Sequence, residues 1–337
     1  MLRMLSALGL FLLLGWTARP DVLPVVDAQT PVREVLRSLG AAERSDVTVR
    51  PVEGASVELG RRLVLEGISA GGGQQSAHFK CTSCHNVVRE DPVLTVSDPE
   101  ARLVYAEEHD LPFLPGTTLW GAIDRERYYN DDYEKKYGDL VEMARRDLRK
   151  AIQLCATECA QGKPLDAREM ESVVAYLQTI GTTLGDLPED APSTDRINMA
   201  IRGADAGAKA AVIQQLKASY ALASPATFVL PPKDRAAGYP VTQTPNPANG
   251  AVLYQRACLH CHENQRYSFF ELDETERDYD FMAKHFPRYT RYSTYQVARY
   301  GTSPIPGKRA YMPHYTAERM SDQQLEDLRA FLEGAAK

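Results

Sequence analysis

The chain has 337 residues, enough for two domains of ordinary size, each with its own core. Apolar residues make up 44% and charged residues 25%, the balance of a soluble globular protein with no low-complexity tract. Its 39 Lys and Arg against 45 Asp and Glu give a net charge of −6, which excludes the basic footprint of a nucleic-acid binder and suits a basic partner protein.

The opening string MLRMLSALGLFLLLGWTA places Arg3 ahead of an apolar run from Leu5 to Trp16. That run is too short to span a bilayer comfortably and the chain turns polar by Arg19, so residues 1–18 are predicted to be a signal peptide cleaved after Ala18. An uncleaved N-terminal anchor is the alternative, and no later stretch is apolar enough to be transmembrane. Residues 19–54 read as an extended, proline-bearing arm without a core of its own. A helix is predicted over 56–66, followed by the flexible insertion AGGGQQSAHF and then CTSCH at 81–85. Residues 86–139 form a long excursion holding DRERYYNDDYEKKYGDL. Its Arg125, Arg127 and Lys135, with Arg146 beyond, read first as solvated surface charge and second as partners for an anionic group. A helix over 140–154 delivers Cys155, with Cys159 one turn further, and DAREMESVVAYLQTIG closes the first half as a helix capped by Asp166.

Residues 183–245 link the halves, with proline-rich ends and a helix over 210–222. In the second half Asn249 is expected to cap a helix in which Gly250, Tyr254 and Cys258 recur at intervals of four, leading into CLHCH at 258–262. The segment VARYG spans 297–301, and YMPHY brings Met312 and Pro313 after it. The string SDQQLEDLRAFLEG gives a last helix with Ser321 as cap and Leu325, Leu328, Phe331 and Leu332 on one face. It aligns without a gap on the helix that ends the first half: Asp166 on Ser321, Met170 on Leu325, Val173 on Leu328, Tyr176 on Phe331 and Leu177 on Leu332. Strand signals are few.

Six cysteines in an exported chain would ordinarily suggest disulfides, but here two pairs are each followed at once by histidine. C-x-x-C-H is the signature of covalent haem attachment: two thiols on one helical turn reach the two vinyl groups, and the adjacent imidazole is directed at the iron. Zinc would draw the two pairs together without needing either histidine, and a redox dithiol would sit in a βαβ unit that is not found here. The expectation is two covalently bound haem c groups, one on Cys81 and Cys84 with His85 as proximal ligand, the other on Cys258 and Cys261 with His262.

With those motifs in place, residues 245–335 resemble a class I cytochrome c domain, in the G-x-x-x-aromatic-x-x-x-C-x-x-C-H start, the helix and glycine of VARYG and the Met-Pro step. The resemblance implies Met312 as the distal ligand, ahead of Met282 and Met320. The first half is a modified copy. Counting back from its last helix by the Met312 interval arrives at Thr157, flanked by Cys155 and Cys159. The string CATECAQGKPLDAREMESVVAYL resembles that around the distal cysteine of di-haem thiosulfate dehydrogenases, matching at Cys155, Gly162, Lys163 and Leu165. It departs at Glu158 and Cys159, where that family usually has arginine and serine. The resemblance implies Cys155 as distal ligand; Cys159, Met143, Met170, His109 and an open position are the alternatives that the residues leave.

The fold expected is mainly α, with class I cytochrome c domains at 55–182 and 246–337 and a partly helical linker at 183–245. The function implied is electron transfer in the periplasm, where c-type haem is attached, from a first haem (His85/Cys155) to a second (His262/Met312), between donor and acceptor proteins. The alternative is an oxidoreductase acting on thiosulfate or a related sulfur compound at the first haem. A di-haem peroxidase suits the length but lacks that family's surrounding motifs.

Overall fold

The computed structural model describes residues 25–302 and 312–336, so the predicted signal peptide lies outside the described residues. The chain is helical. In order come α1 (Val32–Ser38), α2 (Val57–Glu66), α3 (Pro99–Glu108), α4 (Glu134–Tyr137), α5 (Leu140–Ala144), α6 (Leu148–Leu154) and α7 (Ala167–Thr179). The linker carries α8 (Thr194–Gly203) and α9 (Ala206–Ala218). The second half carries α10 (Pro247–Leu253), α11 (Leu259–His262), α12 (Glu276–His285), α13 (Thr294–Tyr300) and α14 (Asp322–Ala335). Among the described residues there is no strand, only isolated bridges such as Arg127 with Ala223. Nor is any helix there long and apolar enough to cross a membrane.

Local chemistry sets the boundaries. Ser56 accepts a hydrogen bond from the Leu59 amide to start α2, and Gly67, at φ 73°, ends it in the left-handed conformation. Asp166 with Glu169, and Ser321 with Gln324, form reciprocal capping boxes at the heads of α7 and α14. Two expectations shift. Asn246, not Asn249, caps α10, because its side chain reaches the Ala248 amide and Pro247 occupies the first turn. The helix predicted over 140–154 is broken in two at Arg145–Asp147, where Asp147 caps α6 by accepting from the Lys150 amide.

Each half is built on one glycine-mediated crossing. At Gly60 of α2 a Cβ would run into the Ser172 carbonyl of α7 and lie 2.9 Å from the Tyr176 Cβ. At Gly250 of α10 a Cβ would run into the Asp327 carbonyl of α14 and lie 2.7 Å from the Phe331 Cβ. The two pairs are the same positions in the gap-free alignment of the closing helices. Around the first crossing Leu63, Val64, Ile123, Leu148, Val173, Val174 and Leu177 form a core. Around the second, Leu253, Tyr254, Phe286, Tyr295, Leu325, Leu328 and Leu332 form another.

Two segments sit elsewhere than the sequence suggested. The N-terminal arm is not extended throughout: α1 buries Val32 and Val35 against Ile197, Ile201, Val212 and Leu216 of the linker helices, so arm and linker share a third core. Helix α3 leaves the first half and packs Leu103 and Ala106, with Phe113 of the segment that follows it, into the core of the second. Phe113 is fully buried there.

Candidate functional site

The first C-x-x-C-H motif begins as a single 3₁₀ turn, Cys81–Ser83, with the His85 amide donating to the Cys81 carbonyl at 3.0 Å. The loop that follows α3 is laid against it. Gly116 donates its amide to the Cys84 carbonyl at 2.9 Å, and the His85 ring Nδ1 lies 2.6 Å from the Thr117 carbonyl. A carbonyl only accepts, so Nδ1 carries the proton and Nε2 presents its lone pair. Gly116 makes this approach possible: a Cβ there would stand 2.5 Å from the His85 Cε1.

The second motif sits on α11, and its imidazole is fixed in the same way. The His262 Nδ1 lies 2.6 Å from the Phe270 carbonyl, again leaving Nε2 as the free lone pair. Burial holds both imidazoles below the ordinary histidine value, so each is neutral near pH 7, the form that binds a metal. Phe270 and Phe281 stand beside His262 as a partly exposed apolar wall, with Phe270 5.8 Å from the histidine ring.

All six cysteines are unbridged. Burial pushes the thiol of Cys81 up to about 11 and those of Cys258 and Cys261 up to about 12. A redox dithiol needs the opposite, a depressed value, so these pairs are not arranged for disulfide exchange. Among the described residues no three His, Cys, Asp or Glu side chains converge as a zinc centre requires. Protonated, unbridged thiols three positions apart beside an imidazole with a free Nε2 do fit the donor set of a covalent haem, and they fit it twice.

The motifs touch. The Cys261 Sγ lies 3.8 Å from the Ser83 carbonyl, and the His260 Nε2 lies 3.3 Å from the Thr82 carbonyl. Cys84 and Cys261 are within electrostatic reach of one another.

Cys155 and Cys159 follow α6 in one wide π turn, with their thiols in hydrogen-bond contact. Cys155 lies within reach of Cys81 and Cys84, and so faces the first motif. Polar donors converge on Cys159: the Tyr137 hydroxyl is 3.1 Å from its sulfur and the Tyr129 hydroxyl 3.8 Å. The contact with Cys155, then those tyrosines and Lys136, draw the Cys159 thiol down to about 7 against the effect of burial. Of the alternatives, Met143 is exposed, and His109 stacks on Tyr105 with its Nδ1 at the Tyr105 carbonyl. Met170 is buried on α7, and Met282 and Met320 pack in or against the second core.

Met312 is held by its backbone. Its amide donates to the Thr302 hydroxyl at 2.8 Å, its carbonyl accepts from the Thr302 amide at 3.0 Å, and Gly301 (φ 68°) has no room for a Cβ beside that carbonyl. Residues 303–311, which precede it, lie outside the described residues.

Sequence reasoning missed His314 and misread Arg125. His314 is buried against Phe228 and Tyr133, accepts at Nδ1 from the Lys136 ammonium at 3.1 Å, and leaves Nε2 without a partner. It ties the segment after Met312 to the tyrosines around Cys159, a contact no local pattern announces. Arg125 is not a solvated charge: it turns inward and donates to the Thr118 and Trp120 carbonyls at 2.9 and 3.2 Å. Lys135 pairs with Asp132 at the surface and Arg146 is exposed, as read.

Compared with known families, residues 245–332 match the model described as cytochrome C oxidase, cbb3-type, subunit III. No curated protein and no solved structure matches the chain.

Proposed function

From the premise that residues 245–332 form a cytochrome c domain, and therefore bind haem c covalently for electron transfer, we propose that the chain is an exported di-haem cytochrome passing electrons between its two halves. Cys81 and Cys84 would hold the first haem with His85 and Cys155 as ligands, and Cys258 and Cys261 the second with His262 and Met312. The observation that carries this reading is the repetition: both motif imidazoles donate Nδ1–H to a backbone carbonyl at the same 2.6 Å and leave Nε2 for iron.

Bound haem supplies a one-electron couple whose potential is set by the axial ligand and its surroundings. The chain's residues set that environment differently in each half. A thioether at Met312 raises the potential, and a thiolate at Cys155 stabilises the oxidised state and lowers it, so electrons flow from the first half to the second. Cys159, held by Tyr137 and Tyr129, is the hydrogen-bond partner of Cys155. The back-to-back packing of the motifs supports direct exchange between them. Donor and acceptor proteins complete the circuit, and the segment 1–18 directs the chain to the periplasm.

One observation favours a second reading, oxidation of thiosulfate or a related sulfur compound at the first haem. Lys136, Tyr129 and Tyr137 surround Cys159 on the side of the first motif, a polar setting that a carrier does not need. Turnover of thiosulfate by purified holoprotein with an electron acceptor separates the two readings.

The di-haem reading is tested by mass. Mature protein should carry two haem masses that survive denaturation, and replacing Cys258 and Cys261 with alanine should leave one. An unmodified Cys81 peptide from properly matured protein would sink it.

A further inference from the structure

The two halves meet across a buried cluster of charge. Glu90, 1% exposed, is the carboxylate at its centre: it pairs with Arg319 at 2.8 Å and accepts from the Thr118 amide at 2.7 Å and from Asn86 at 2.8 Å. Arg319 also donates to the Leu114 carbonyl, and Arg125 donates to the Thr118 and Trp120 carbonyls. Arg102 is equally buried. Its guanidinium lies 3.7 Å over the Phe113 ring, and its terminal nitrogens donate to the Leu114 and Arg319 carbonyls.

Charge does not balance here. Three guanidiniums face Glu90 and the partly buried Asp91, with the neutral Tyr315 hydroxyl beside them. Arg102 is the surplus: among the described residues it forms no ion pair, and its Nε has no hydrogen-bond partner. Burial, followed by the charge of Arg319, pushes it down to about 9. A buried, unpaired guanidinium is expensive unless an anion completes it.

We propose that Arg102 is the counter-charge to a carboxylate of the haem held at Cys81–His85, and that it acts as a positioning residue raising that haem's reduction potential. The inference rests on the di-haem reading. The first haem is the nearer candidate because His85 sits in the field of Glu90, Arg319 and Arg125, and because Thr117, which fixes its ring, adjoins the Thr118 that binds both Glu90 and Arg125. A fixed positive charge in a low-dielectric site favours the reduced iron, which carries one positive charge less.

The test is redox titration of the holoprotein with haems counted by mass, using Arg102→Met, Arg102→Lys and Glu90→Gln. Arg102→Met should move the first haem's reduced-to-oxidised ratio at a fixed potential about tenfold toward oxidised, about 59 mV for one electron. Arg102→Lys should stay within about threefold of the parent, and Glu90→Gln, which removes a negative charge, should shift the ratio the other way. Both haems attached with potentials unmoved in Arg102→Met, or Glu90→Gln moving in the same direction as Arg102→Met, would overturn the inference. If Arg102→Met does not accumulate, the opposite shift in Glu90→Gln still decides. Added inorganic phosphate at constant ionic strength should change nothing, and a phosphate-dependent potential would assign the seat to a free anion instead. A parent protein without haem on Cys81 and Cys84 would overturn the di-haem reading itself, and this inference with it.

Discussion

At the level of single residues, the division of labour between Cys155 and Cys159 is the point on which the first half turns. Their thiols are in hydrogen-bond contact and the tyrosine hydroxyls point at Cys159; the proposed di-haem reading makes the Cys155 sulfur the iron ligand and Cys159 its hydrogen-bond partner. Cys155→Met should therefore raise the first haem's potential and abolish any thiolate signature in low-temperature EPR. Cys159→Ala should keep the thiolate signature and change the potential less, because only a hydrogen-bond partner is removed. Equal loss of the signature in both variants, or loss only with Cys159→Ala, would reverse the assignment. The motif residues were legible because covalent attachment demands cysteines and histidine in one contiguous string. Gly116 and Thr117 were not, although they fix His85, because they lie in a loop that meets the motif only after folding.

At the level of elements, each half closes by pressing one glycine against a capped terminal helix. Gly60→Ala and Gly250→Ala force a methyl group into a backbone carbonyl, and overpacking of this kind costs about 1–3 kcal/mol and occasionally more. Thermal unfolding should show a lowered Tm for both variants, whereas Gly334→Ala, on α14 with open space around it, should not lower it. The closing helices were readable because capping residues and apolar periodicity are local: Asp166 with Glu169 and Ser321 with Gln324 form the expected caps. The break between α5 and α6 was not read, because Asp147 looked like one more polar residue on a helix and not like a cap. The apolar face of α1 also gave no sign that linker helices would cover it.

At the level of the whole molecule, the halves are locked by buried charge and not by apolar contact alone. Burial pushes the Glu90 carboxyl up, but the charges of Arg319 and Arg102 outweigh that and hold it at about 2, well below its ordinary 4.5. Its contribution is complete above the ordinary value and is lost as pH falls from there through about 2, so the interface between the halves should loosen in acid. Acid titration followed by Trp fluorescence and haem absorbance should show a transition in that window, and Glu90→Gln should remove its pH dependence. A transition identical in Glu90→Gln would place the acid sensitivity elsewhere. None of this interface was legible in the sequence, since Arg319 lies more than two hundred residues beyond Glu90 and Arg102 and none of the three carries a motif.

Helix α3 gives the molecule a timetable. Leu103, Ala106 and Phe113 are made well before the other walls of their core, Leu253, Tyr254 and Leu325 onward. The first half therefore emerges before the berth for the buried face of α3 exists, and Arg102, carried on that helix, waits with it. On the proposed di-haem reading, the CTSCH string would be presented for haem attachment while its surroundings are still incomplete. A chain cut after residue 245 would keep its first motif but leave Leu103, Ala106 and Phe113 in water.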